Sequence, residues 1–267
     1  MKHIFVCFLI FLILVSSSCT PKHNYGNPVV SPDTILKNMM SFLAYRERNV
    51  MLSEDFTALD PASEIISKET FLQLLSTGEY LPLRLESKDS STYYQLYKLT
   101  ASDNAEIRLT LKSWGSRESA LYKLEGTKFP GFNFIDLAGN VYTNETTKGK
   151  ILVLKCWYIG CTYCVKEMPA LNEMVTQYKN RNDILFVSLA FDSKEALTTF
   201  LQKRTFTYAI VPDQEDYIIK VLKVHTFPTH FIVNKQGFIT KVVNDEKALP
   251  LLFLMLSPKP FHHSQPW

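Results

Sequence analysis

The sequence predicts an α/β fold, a mixed sheet covered by helices over residues 126–250, preceded by a small α+β domain over 31–125. Three observations support this. At 267 residues the chain has room for two modest domains. Before residue 125, helical and strand-like segments follow one another without a repeat. From Phe129 onward the order is strand, helix, strand, helix and hairpin, the pattern of a sheet with helices packed on it.

The N-terminus opens with Lys2, an uninterrupted apolar run from Ile4 to Val15, and then Ser16, Ser17 and Ser18 ahead of Cys19. That run is shorter than the ~20 residues a membrane-spanning helix needs and fits the core of a signal peptide over 1–18. Export is therefore expected. Small residues directly before a cysteine resemble the signal of bacterial lipoproteins, although Ser16 stands where leucine is usual. The resemblance implies lipidation at Cys19 and a membrane-anchored place in the cell envelope, facing the periplasm. The alternative is plain secretion, with Cys19 a free or paired thiol.

Lys2 is the one charged side chain in 1–18, so its removal takes the formal net charge from +3 to +2. A near-neutral chain lacks the concentrated basic face that nucleic acid requires, and that partner is excluded. Of five cysteines, Cys7 leaves with the signal and Cys19 is the expected anchor. Cys156, Cys161 and Cys164 cluster in the second half, which marks a site and not a disulfide framework.

Pro21, Gly26, Pro28 and Pro32 give 19–30 the composition of a tether, with regular structure expected from Ser31. Ile35, Leu36, Met39, Met40, Phe42 and Leu43 recur at helical spacing, and Glu69 to Leu75 predicts a second helix ended by Gly78. Thr92 to Leu99 and Ala105 to Trp114 alternate like two strands around a Ser102-Asp103-Asn104 turn. Tyr93, Tyr94 and Tyr97 are ordinary core or cross-strand residues on that reading. This half shows no catalytic constellation, and its role is open.

In the second half, strands are expected over Lys150–Trp157 and Ile184–Ala190, and helices over Val165–Lys179 and Lys194–Lys203. A hairpin is expected from Thr229–Asn234 and Phe238–Val243, and the tail occupies 251–267. Function in such a sheet gathers beyond the carboxyl ends of its parallel strands, where Cys161 falls. The stretch LKCWYIGCTYCVKEMP, Leu154 to Pro169, carries the chemistry. Cys161 sits in the turn opening a helix, where unpaired N–H groups and the dipole lower a thiol pKa. Cys164, one turn later, can attack a mixed disulfide formed at Cys161, so the two read as nucleophile and resolver.

Metal ligation is the competing reading. One Cys-x-x-Cys falls short of the four ligands of structural zinc, and Cys156 is poorly placed to help. Copper would need His225 or His230 as a third ligand; the simpler account puts His230 facing outward on its strand and His225 in a loop. His262 and His263 lie in the Pro-containing tail.

WYIGCTYCVKEMP is similar to the active-site segment of the TlpA/ResA-like thiol-disulfide oxidoreductases of the thioredoxin superfamily, and the resemblance runs from about Phe129 to Asn244. FPGFNFIDLAGN resembles the family's opening hairpin, KGKILVLKCW its first central strand, and VHTFPTHFIVNKQGFI its cis-proline segment and last hairpin. The resemblance implies a thioredoxin-like fold, a Cys161/Cys164 redox pair, Glu167 as an acid beside the resolving thiol, and Pro228 as a cis-proline. Phe227, Pro228, Thr229 and Trp157 would line the substrate site, and Pro169 would kink the helix. Gly160 before the first cysteine, the Thr162-Tyr163 pair and Cys156 depart from the family pattern. Lys155 stands where many relatives carry Asp or Asn beneath the active site. It either reaches solvent or a carboxylate along the apolar strand, or lies under the cysteine pair and favours thiolate.

The expected function is reduction of disulfides in exported client proteins, with an upstream electron donor and no cofactor or metal. A thioredoxin-fold peroxidase and a copper-binding chaperone are the alternatives.

Overall fold

The computed structural model describes residues 24–101, 103–244, 248 and 255–256. The signal segment, Cys19, and all of the tail except Met255 and Leu256 lie outside the described residues. Leu256 is buried against the helix-covered core of the second half, and its carbonyl accepts from Arg181.

The first half holds a five-stranded sheet. Its elements are β1 (Tyr25–Pro28), α1 (Pro32–Leu36), α2 (Met39–Asn49), β2 (Thr57–Leu59), β3 (Ile65–Ile66), α3 (Lys68–Leu75), β4 (Tyr80–Ser87), β5 (Tyr93–Lys98) and α4 (Ala105–Tyr122). The strand order is β1-β4-β5-β2-β3. Three features correct the sequence reading. Tyr25–Pro28, expected as tether, pairs antiparallel with the end of β4. The partners of β5 are β4, antiparallel, and β2, parallel. Pro82 sits inside β4 beyond the short β1, so the side where it lacks an N–H has no strand to satisfy.

The third correction is α4, expected as a strand over Ala105–Trp114. Asn104 is its N-cap, with Oδ1 accepting from the N–H groups of Glu106 and Ile107. Among the residues it buries, Ile107, Leu111, Trp114 and Gly115 share one helical face, whereas Leu109, part of the apparent alternation, is 68% exposed. Gly115 lets α4 cross α3 closely.

The second half continues with β6 (Asn133–Ile135), β7 (Val141–Thr143), β8 (Ile151–Trp157), α5 (Thr162–Lys166), α6 (Met168–Gln177), β9 (Ile184–Ala190), α7 (Lys194–Leu201), β10 (Ala209–Val211), a π-helical turn (Tyr217–Val221), β11 (Thr229–Val233) and β12 (Ile239–Val243). The sheet order is β10-β9-β8-β11-β12. Strands β10, β9 and β8 are parallel, and β11 and β12 run antiparallel to their neighbours. This is a thioredoxin-like sheet. β8 alternates between two cores: Val153 and Trp157 face the side of α6 and α7, while Leu152, Leu154 and Cys156 face the side of Phe129, Phe134 and Ile218. β6 and β7 form a separate hairpin, as the sequence suggests.

The halves meet where the chain leaves α4. Gly126 N–H donates to the Ile239 carbonyl and Ile239 N–H to that of Thr127, which covers the exposed edge of β12. Lys241 on β12 is buried, 3.5 Å from Asp55 and 3.6 Å from Glu125. Lys68 lies nearby over the rings of Phe56 and Tyr122 and donates to the Glu54 carbonyl. Burial, and then the charge of Lys241, pushes its pKa down to about 8.

A β-carbon at Gly115 would lie 2.6 Å from the Leu75 carbonyl carbon and the Ser76 nitrogen. Alanine normally favours a helix interior over glycine by ~1 kcal/mol. Here Gly115→Ala is expected to lower stability, by about 1–3 kcal/mol, because backbone must move. Denaturant unfolding of the variant measures it; a gain in stability would show that α3 and α4 separate freely.

Candidate active site

Cys161 caps α5 and is linked to Cys164 by a disulfide, with the Cα atoms 5.2 Å apart. Its Sγ accepts from the Cys164 N–H at 3.1 Å, so the first turn of the helix directs a backbone donor at this sulfur. The two cysteines differ in access: Cys161 is 6% exposed and Cys164 is fully buried. The approach to Cys161 is held by Ile159 N–H donating to Asp192 at 2.7 Å. Pro169 cannot continue the helix hydrogen-bonding, so α5 and α6 are separated at Glu167, where the kink was expected.

Lys155 is wholly buried, and its Nζ donates to the Cys164 carbonyl at 3.0 Å and to Glu167 Oε1. Of the two sequence accounts, Lys155 thus takes the position under the helix turn of Cys164 and also pairs with a carboxylate, and it does not reach solvent. Glu167, expected as an acid beside Cys164, is itself buried and also lies 3.0 Å from His230 Nε2. His230 corrects the sequence reading: it faces the helix-covered core and not solvent. Register explains this, because Ser188, Lys155 and His230 are direct neighbours across β9, β8 and β11 and therefore share one face. His225 is exposed.

Burial drives the Lys155 pKa below the usual lysine range, with Glu167 opposing. Burial alone would raise Glu167, but the combined pull of His230 and Lys155 outweighs it, so its pKa lies below the usual carboxylate value. Three atoms in this layer lack hydrogen-bond partners among the described residues: Glu167 Oε2, His230 Nδ1 and Ser188 Oγ. Cys156 is free and buried on the opposite face; burial, with Lys155 opposing, pushes its thiol far above the ordinary range, so it stays an unreactive thiol of the core.

The Phe227–Pro228 bond is cis, as the family resemblance implies. Thr229 is buried and its hydroxyl donates to the Thr226 carbonyl, so its side chain is used inside this turn. Phe227 is half-buried within an aromatic cluster, edge-on to Tyr158 and Phe191 at centroid distances of 5.5 and 5.0 Å. Trp157, expected in the substrate site, is instead fully buried, 5.7 Å from both Phe200 and Phe206. Its strand position turns it into the core, where it packs and cannot touch a client. Sequence reading missed Tyr158, Phe191 and Asp192. Tyr158 alone carried a signal, lying next to the motif; the other two arrive from the far end of β9.

Residues 126–242 match the profile of the AhpC/TSA family. The thiol-disulfide oxidoreductase ResA of Geobacillus kaustophilus is 29% identical over 119 residues, 44% of this chain and 68% of that protein. ResA of Bacillus thuringiensis subsp. konkukian is 29% identical over 123 residues, 46% of this chain and 71% of that one. Among solved structures, StoA from Bacillus subtilis is 20% identical with a TM-score of 0.43, covering 48% of this chain and 97% of that one. A thiol-disulfide oxidoreductase from Bacteroides fragilis is likewise 20% identical with a TM-score of 0.43, over 49% of this chain and all of the other. The thioredoxin-like sheet and the ResA relatives make the chain a thiol-disulfide oxidoreductase.

Lys155→Met leaves Glu167 buried without its ammonium, and loss of one partner of such a pair costs about 3–5 kcal/mol. Adding Glu167→Leu is expected to recover much of it, since apolar replacement of both partners is commonly close to neutral. The sign of the pH effect follows from the lowered Glu167 pKa: its contribution is full above the unfolded glutamate pKa and is lost as pH falls through the folded one. In Lys155→Met that acid loss should begin at higher pH. Unfolding curves across the acid range measure both effects, and equal stability of the single and double variants would refute the pairing.

Proposed function

We propose that the chain reduces disulfides of exported client proteins, cycling between the Cys161–Cys164 disulfide and the dithiol, from a lipid-anchored position at Cys19 in the cell envelope. The observation that carries this reading is the inequality of the two sulfurs. One sits at a helix N-cap with a backbone N–H aimed at it, and the other is buried over a lysine and a carboxylate.

In the dithiol, Cys161 is the thiolate, favoured by the start of the helix. It attacks a client disulfide: a Cys161–client S–S bond forms, the client bond breaks, and one client thiolate leaves and takes a proton from water. Cys164 then gives its proton to the Glu167 carboxylate and attacks Cys161 Sγ. The mixed disulfide breaks, the second client thiolate departs, and two electrons have passed to the client. The Lys155 ammonium keeps the buried charge constant through that proton transfer. It balances the Glu167 carboxylate beforehand and the Cys164 thiolate afterwards. An upstream electron donor restores the dithiol. The backbone at Phe227, cis-Pro228 and Thr229 would hold the client chain, with the Tyr158–Phe191–Phe227 cluster as its apolar border.

The domain division at 125/126 is part of the proposal, with the α+β half standing between anchor and catalyst. Two outcomes test the reading. Cys164→Ser should accumulate mixed disulfides with clients at Cys161, whereas Cys161→Ser should trap none; the same adducts in both variants would reverse the assignment. Cys19→Ala should release the protein from membranes or block its processing, measured by fractionation and N-terminal sequencing. Wild-type protein found wholly soluble, with a mature N-terminus beyond Cys19, would remove the anchor.

A further inference from the structure

We propose that His230 is a positioning residue for the resolving step: donating from Nε2 to Glu167 Oε1, it shares that oxygen with Lys155 and leaves Oε2 as the one that takes the Cys164 proton. The inference rests on the dithiol reading above and goes beyond it by assigning the proton to one oxygen and the selection to a residue of another strand.

Glu167 Oε1 receives both Lys155 Nζ and His230 Nε2, while Oε2 is buried and has no partner among the described residues. A buried carboxylate oxygen normally finds a donor, and in the disulfide state the natural one, the Cys164 thiol, is absent because its sulfur is bonded to Cys161. Glu167 follows Cys164 by three residues, so the two lie on one side of the α5–α6 junction. A carboxylate accepts, so His230 Nε2 is the donor in this contact, and Nδ1 is buried without a partner among the described residues. The titratable groups facing this layer are Lys155 from β8, Glu167 from the helix junction, the Cys161–Cys164 pair, and Tyr208 ahead of β10, whose phenol feels the Glu167 charge. Cys156 reaches Lys155 only from the other face. His230 and Lys155 together hold Glu167 ionised at neutral pH. Without the His230 donor the carboxylate becomes a stronger base that is protonated too early, and a protonated Glu167 cannot receive the thiol proton.

The test follows the pH dependence of single-turnover reduction of a test peptide with one intramolecular disulfide by the prereduced full chain. His230→Leu is expected to move the acid limb up by about one pH unit, slowing the reaction about tenfold on that limb. His230→Gln, whose amide can donate from the Nε2 position, should return the limb close to wild type. His230→Asn, with its donor at the Nδ1 position, should not. The Gln and Asn pair keeps the test readable if His230→Leu does not fold. An unmoved limb in His230→Leu, or equal shifts in Gln and Asn, would overturn the inference. Mixed-disulfide formation in the Cys164→Ser background serves as the separate control: its absence would refute the dithiol mechanism itself, and its presence with an unmoved limb would refute only the role of His230.

Discussion

The active site depends on a single carboxylate at a broken helix. Glu167 stands where Pro169 interrupts the run from α5 to α6, and its side chain reaches down to Lys155 on β8 and near His230 on β11. The junction is thereby fixed to the two strands at the centre of the sheet. Because Lys155 also donates to the Cys164 carbonyl, the same ammonium holds the helix turn that carries the disulfide. Three fully buried ionisable groups would be costly separately; together they place opposite charges in contact and satisfy part of one another's hydrogen-bonding capacity. The charge at the centre of the sheet is a cation, Lys155 on β8, and the carboxylate that answers it lies on the helix, three residues from Cys164.

The second constraint is the seam between the two halves. The residues after α4 pair with β12, and Lys241 on that strand reaches across to two carboxylates of the first half, Asp55 and Glu125. Lys68 from α3 approaches the same cluster through an aromatic sandwich. Buried cations at such a seam make the relative placement of the halves specific, because a shift would leave charge without a partner.

How much of this was readable beforehand varies with the kind of signal. Strands β8, β9, β11 and β12 and the Cys161/Cys164 pair were legible because they depend on local apolar runs and spacing, whereas the three-residue β10 offers too short a run to be read. The helix α4 was not: Ile107, Leu109 and Leu111 satisfy a period of two, and only the burial of Trp114 and Gly115 against α3 selects the helix. Strand β4 was hidden by Pro82, which is tolerated only because β1 is short. The position of Lys155 could be anticipated, but the direction of its side chain could not, since both faces of β8 are covered. His230 was misjudged for the same reason: an isolated histidine on a strand has no local mark of which face is the core. Only the register beside Lys155 decides it.

The strict two-sidedness of β8 bears on how the molecule reaches its oxidised state. Cys156 points away from the helix that carries Cys161 and Cys164, and β8 is hydrogen-bonded on both sides, to β9 and β11. Once those ladders exist, joining Cys156 to either neighbour would require unzipping the middle of the sheet. In an oxidising compartment the correct pairing is thus protected by the order of events: if strands assemble before thiols are oxidised, the third cysteine is already sequestered. Oxidation of the extended chain has no such safeguard, with three thiols inside nine residues.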